Sequence, residues 1–336
     1  MNQTNYEKVG RKIALDELER QRISLRNHAL IIWLCVAWFL AVVGYRIISP
    51  YVLATHPSLR SLSDILGKPL WYLVIASEYA ALVFAIAIGR KDDWKGYREA
   101  FKQLYVENYL DSVFSELRYE PDQHIHTGDV EKTMLVPKRF QDNWRLAGND
   151  YISGRYKQTR FQRSDLCLIY FFGKTNHSRK NTVVFSGRWM IVEFNKAFRS
   201  KVQIVQKGFC NTPRKRTFEM SDSVFDPVEM ESANFNSRFL VYAKNEHEAF
   251  YLITPQLMER LQQLADRAGG KLFFCFVTNQ LHIAIQSDED SLEAPSVFKR
   301  LEEAQITQKF REEIEVITQF IDELSLDNNL FINAEK

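Results

Sequence analysis

The 336 residues carry 44 Lys and Arg against 42 Asp and Glu, a formal net charge of +2, so the chain lacks the one-signed surplus of a general nucleic-acid binder. Its four cysteines show no CxxC pairing and its histidines no metal-ligand spacing, so the sequence implies no metal and no cofactor. Average charged and apolar fractions conceal two long apolar runs, which the remainder of the chain dilutes.

Residues 1–28 read as a cytoplasmic tail with a weak helical rhythm in Val9, Ile13, Leu18, Ile23 and Leu25. Such a tail would pack on a neighbouring helix or lie along an anionic membrane surface. The apolar runs Ala29–Ile48 and Leu70–Ile88 follow. Each has about 20 residues, the length a helix needs to cross ~30 Å of hydrocarbon. Leu30 to Leu40 has no polar face, which argues against a buried core helix. The first run starts too late, and lacks the small-residue cleavage pattern, for a signal peptide. The expectation is a transmembrane hairpin, contacting the lipid bilayer directly.

Basic residues set its orientation. Lys8, Arg11, Lys12, Arg20, Arg22 and Arg26 precede the first run, and Arg90, Lys91, Lys95, Arg98 and Lys102 follow the second. The loop between holds only Arg60 and Lys68, so both termini are expected on the cytoplasmic side. Cysteines of the following region are then reduced packing residues. Glu78, near the middle of the second run, is the one intramembrane carboxylate. It is read as a neutral acid with a local hydrogen bond, or as a contact to another subunit.

Residues 89–120 read as a helical stalk, with Phe101, Leu104, Tyr105, Tyr109, Val113, Phe114 and Leu117 at three- and four-residue spacing until Pro121. Beyond, in residues 121–300, the period shortens. Leu166–Phe172, Val183–Phe194, Lys201–Val205, Arg238–Ala243, Leu272–Val277 and Leu281–Ile285 are short, β-branched or aromatic, and bounded by turn residues. One helix stands among them, opened by Thr254-Pro255 and closed by Gly269-Gly270. A last amphipathic helix over Gln305–Leu324 sits in residues 301–336. The fold class expected is α+β: a membrane hairpin and stalk, then an antiparallel-sheet domain with a C-terminal helix.

Four segments in order carry a family resemblance: Gly148-Asn149-Asp150-Tyr151-Ile152-Ser153-Gly154, then Val184 to Trp189 running into Glu193 to Phe198, then Met230 to Tyr242, then Tyr251 to Pro255 with Met258 to Leu261. Together they resemble the bacterial domain-of-unknown-function 3137 family, two-helix membrane proteins with a cytoplasmic domain. The chain departs from the family at Asn234, where a charged residue is usual, and at Leu292, where phenylalanine is usual. The resemblance implies no activity. Through the family's frequent neighbours it implies a LemA-type membrane partner.

The motifs themselves read as structural. Gly154 and Gly187 fit bulges or close backbone approach, Asp150 an Asx-type turn before a strand, and Phe194, Phe198, Phe235 and Phe239 a core. His124 and His126 fit a solvated linker better than a metal site, and His282 a surface position in an alternating strand. No GxSxG elbow occurs. Cys210 has Lys207, Arg214, Lys215 and Arg216 around it, a setting that would lower a thiol pKa, although a non-catalytic loop cysteine is the simpler reading. The same four basic residues, with Lys174, Arg179 and Lys180 in another loop, are candidates for anionic lipid or ligand contact. The function expected is a non-enzymatic membrane protein binding a partner protein or ligand at the membrane surface. The alternative is a membrane-tethered enzyme or small-ligand sensor, which a pocket uniting Asp150, Glu193 or His247 would favour.

Overall fold

The computed structural model describes residues 3–55, 91–135, 144–172, 180–193, 201–210, 225–287 and 292–324, with 76, 77, 79, 80 and 83. The chain divides into two compact units, Met1–Leu104 with Ala294–Glu302, and Tyr105–Glu293 with Glu303–Lys336.

In the first unit a single helix, α1, runs over Gln3–Thr55, through the apolar run and past Pro50. Within it Ile13–Gly44 is long and apolar enough to cross a membrane, the one such stretch among the described residues. Its apolar side chains stand outside any core: Trp33 is 66% exposed, Leu34 69% and Leu40 62%. Nearer the start, Leu18, Arg22 and Leu25 are buried, and α1 packs on α2 (Lys91–Phe101), which buries Tyr97 and Phe101. The Arg22 guanidinium donates to both oxygens of Glu19 at 2.8 and 2.7 Å and to the backbone carbonyl of Val297. A basic residue read from sequence as a topology signal is thus also a packing residue. Of the second apolar run, residues 76, 77, 79, 80 and 83 are described and helical, whereas Glu78 lies outside the described residues.

The boundary between the units falls in the π-helical stretch Lys102–Glu107, followed by α3 (Asn108–Val113). The helix expected to reach Glu120 ends here. Ser115–Glu120 is instead strand β1, because the alternation around Leu117 and Tyr119 fits a strand as well as a helix and the neighbouring strand supplies partners.

Among the described residues the second unit is built on a nine-stranded antiparallel sheet, in the order β1-β2-β3-β4-β9-β8-β5-β7-β6. The strands are β1, β2 (Trp144–Tyr156), β3 (Thr159–Phe172), β4 (Lys180–Glu193), β5 (Val202–Gln206), β6 (Asp226–Val228), β7 (Phe239–Ala243), β8 (Lys271–Val277) and β9 (Gln280–Gln286). Both faces are covered. On one, Trp189, Ala284 and Phe273 share a cross-strand row and pack with Ile125, Val130 and Leu135 of the segment carrying α4 (Thr127–Lys132). On the other, Phe274 and its neighbours meet α8 (Glu303–Glu323), with Phe274 and Phe320 rings 6.1 Å apart. The short helices α5 (Ala233–Arg238) and α6 (Glu246–Leu252) flank β7, and α7 (Pro255–Arg267) follows.

Helix α7 has the limits its sequence predicts. The Thr254 hydroxyl accepts from the Leu257 N–H at 3.2 Å, Pro255 fills the first turn, and Gly269 takes φ +66° just past the end. Gly187 is needed for a harsher reason. Its φ is +149°, and a Cβ there would stand 2.1 Å from the Ile285 carbonyl oxygen. Gly187→Ala is therefore expected to destabilise the sheet domain by about 1–3 kcal/mol, read as a lower urea midpoint with unchanged slope. A midpoint equal to that of the parent chain would refute the close-approach account.

Candidate functional site

Polar groups with chemical potential gather at three places in the sheet domain. The first is a row of charges on the α8 face. At a bulge in β2 between Asn149 and Ile152, Asp150 adopts φ +55° and is fully buried. Its N–H donates to the Pro121 carbonyl at 2.9 Å, and its carboxylate accepts from the Tyr119 hydroxyl at 2.5 Å and from Asn149 Nδ2 at 3.1 Å. Asp150 therefore sits inside a strand rather than before one, and the bulge turns its side chain toward β1.

Next along the row, Arg163 donates to Asp165 at 3.1 Å with both side chains almost buried. Asp165 lies directly opposite Arg188 in the β3–β4 register, and Arg188 donates to Glu313 of α8 at 2.7 Å. Burial works against the Arg163 charge, but the carboxylates of Asp165, Glu313 and Asp150 outweigh it and raise its pKa. Burial, then the charge of Asp150, raises the Tyr119 hydroxyl, which stays a neutral donor. This row joins helix to sheet. Asp150→Ala leaves the part-buried Tyr119 hydroxyl without its acceptor and removes one of the three carboxylates that offset the buried Arg163 charge. A loss of about 2–4 kcal/mol in unfolding free energy is expected, with Asp150→Asn losing less, by denaturant titration.

The second place is on the opposite face. His282 is fully buried rather than exposed, because the β9 strand has protein on both sides. Its Nδ1 accepts from Trp189 Nε1 at 3.3 Å, which fixes the proton on Nε2. Nearby, Gln203 Nε2 donates to the Thr133 carbonyl at 2.6 Å and the Cys275 thiol reaches the same oxygen at 3.7 Å. Burial lowers the His282 pKa to about 4 from the ordinary 6.5. The unfolded chain then takes up the proton first as pH falls. Stability present above pH 6.5 is lost progressively down to pH 4, by on the order of 3 kcal/mol. The pH dependence of unfolding in His282→Gln should lack this component, and an identical profile in both proteins would remove the assignment.

The third place is the sheet end where β5, β8 and β9 meet α5 and α7. An open cavity of about 440 Å³ is lined there by Gln206, Gly208, Arg238, Ala265, Gly270, Lys271 and Gln286. Gln206 Oε1 accepts the Leu272 N–H at 2.9 Å, and Gln286 Oε1 accepts the Cys210 N–H at 2.7 Å. Arg238 is held by Asp266 at 2.8 Å and by the Gln262 carbonyl at 3.3 Å. A separate cavity of about 260 Å³ at the β1–β4 side has Glu116, Tyr151, Ser153, Arg160, Gln162 and Glu193 on its wall.

Of the residues singled out from sequence, Lys207 is exposed in the turn after β5, its N–H donating to the Arg238 carbonyl at 2.9 Å. Arg214, Lys215, Arg216 and Glu78 lie outside the described residues. Cys210 is buried, and burial pushes its thiol pKa up, opposite to what a basic cluster would do. Asp150, Glu193 and His247 are not brought together: Asp150 is buried, His247 is exposed, and the cavity holding Glu193 is lined by neither. His126 caps α4, its Nδ1 accepting the Gly128 N–H at 3.1 Å, and no group of three or more His, Cys, Asp or Glu able to hold a metal occurs among the described residues. Sequence reading missed Arg163, Asp165, Glu313, Gln206, Gln286, Arg238 and Lys271, whose spacing carries no motif.

Residues 183–326 match the family model described as protein of unknown function, DUF3137. The matched stretch runs from β4 through α8. It includes the Ser186-Gly187-Arg188-Trp189 motif and Glu313, and it supports the family resemblance carried by the sequence motifs. No curated protein matches the chain. Among solved structures, the crystal structure of the mycobacterial trehalose monomycolate transport factor A is similar at 12% identity, over 68% of this chain and 97% of that one, with a TM-score of 0.36.

Proposed function

We propose that this is a membrane-anchored protein whose α+β domain binds a partner protein or ligand at the cytoplasmic membrane surface. The observation that carries the reading is the apolar stretch of α1, where Leu30, Trp33, Leu34, Trp38, Phe39 and Leu40 are all exposed. A row of large apolar side chains left exposed along a helix is stabilised by hydrocarbon rather than water. The second run, Leu70–Ile88, completes a hairpin by the same length argument, and the basic flanks keep both termini cytoplasmic. The stalk and the C-terminal helix then belong to the cytoplasmic side. The partner is a membrane protein of the LemA type by family resemblance, or a ligand of the sheet domain.

Carbonate extraction of membranes and reporter fusions at both termini test the anchor. The full chain should remain in the pellet, with both fusions reporting cytoplasm. Leu34→Arg with Leu40→Arg should release it, since each arginine near a helix centre costs about 2.5–3.5 kcal/mol of insertion. Extraction of the parent chain into the carbonate supernatant would overturn the anchor. Purification in mild detergent with mass spectrometry tests the partner.

A further inference from the structure

We infer that the cavity at the β5–β8–β9 end is a binding site for a phosphate-class oxyanion, deepening the ligand half of the function proposed above. The inference starts from two hydrogen bonds whose direction is not open to choice. A backbone N–H can only donate, so the side-chain atoms facing Leu272 N and Cys210 N must be the amide oxygens of Gln206 and Gln286. Each amide nitrogen is thereby left as the donor end of a side chain whose other end is fixed, at 2.9 and 2.7 Å. Both residues line the cavity.

The remaining polar side chains on the wall are also donors, the Arg238 guanidinium and the Lys271 ammonium, and among the described residues no carboxylate lines it. Arg238 is oriented by Asp266 and the Gln262 carbonyl, so its planar fork is not free to turn away. Gly208 and Gly270 complete the wall without a side chain to fill the space. Two amides, a guanidinium and an ammonium bordering one space suit a group with several acceptor oxygens and negative charge. A phosphate monoester or diester has both. An amine ligand would be repelled by the two cations, and a neutral sugar, although its hydroxyls accept, would bring no negative charge to the Lys271 ammonium. At about 440 Å³ the cavity also admits the small group that bears the phosphate.

Calorimetric titration of the full chain in non-ionic detergent, first with inorganic phosphate and then with glycerol 3-phosphate, is the test. Saturable binding is expected, tighter for the ester. Gln286→Glu keeps an oxygen for the Cys210 N–H but replaces a donor by a negative charge, and should weaken binding by at least about tenfold. Lys271→Ala alters an exposed side chain and should weaken it several-fold without moving the melting temperature. The absence of binding by the parent chain overturns the inference. So does a phosphate affinity unchanged in Lys271→Ala and in any Gln286→Glu protein that melts normally.

Phosphate titration in nanodiscs separates two sources of the ligand. Weaker apparent binding in phosphatidylglycerol discs than in phosphatidylcholine discs assigns the site to an anionic lipid headgroup, and equal binding to a free phosphate ester. Failure here would leave carbonate extraction unaffected, so the anchor and this site fail separately.

Discussion

The ion pair between Arg188 and Glu313, at 2.7 Å and mostly buried, is the interaction on which the sheet domain depends. It closes a row that begins at Tyr119 and Asp150 and passes through Arg163 and Asp165, so the register of four strands, β1 to β4, is read against one helix. A buried pair of this kind contributes less net stability than an apolar replacement would, because both ions must leave water. It does impose geometry. A one-residue slip of β3 against β4 would move Asp165 and Arg188 to opposite faces, stranding charges that only the observed register neutralises. Specificity of pairing, more than raw stabilisation, is what such a row supplies in a wide antiparallel sheet.

Two sequence motifs meet in that row although the residues they supply, Asp150 and Arg188, stand 38 positions apart. Asp150 belongs to the first family-like segment and Arg188 to the second, and each was legible only as local structure. Gly187 and the caps of α7 were readable because a single residue's conformation decides them. Strand positions rich in Val, Ile and Phe were readable as strands for the same local reason. The distant partners of Arg163 were not readable, since Asp150 reaches it through a bulge in β2 and Glu313 from the C-terminal helix, and nothing in spacing encodes either meeting.

His282 shows where the alternation rule misleads. Period two separates the faces of a strand, and a polar residue among apolar ones then reads as solvent-facing. Here both faces are packed, so the polar position points into the core, where Trp189 supplies a donor to one of its two ring nitrogens. The two glutamines at the sheet end escaped notice for another reason. They look like ordinary polar ends of strands, and only the backbone N–H groups of Leu272 and Cys210 reveal which atom each presents.

The glycines connect the charged row to the cavity. A Cβ on Gly187 would strike the Ile285 carbonyl oxygen, and one on Gly270 would come within 2.1 Å of the Gln286 oxygen. Both lie against the last residues of β9, Gly187 being Gln286's partner across the β4–β9 pair and Gly270 preceding its β8 partner, Lys271. Neither neighbour has a side chain to displace it, so the Gln286 backbone is held close on both sides. Its side chain then takes the direction of the Cys210 N–H. The motif that places Arg188 beneath α8 thus also places, one residue earlier and on the other face, the glycine that sets the cavity wall. Order in the ionic row and order at the sheet end are two consequences of a single stretch of β4.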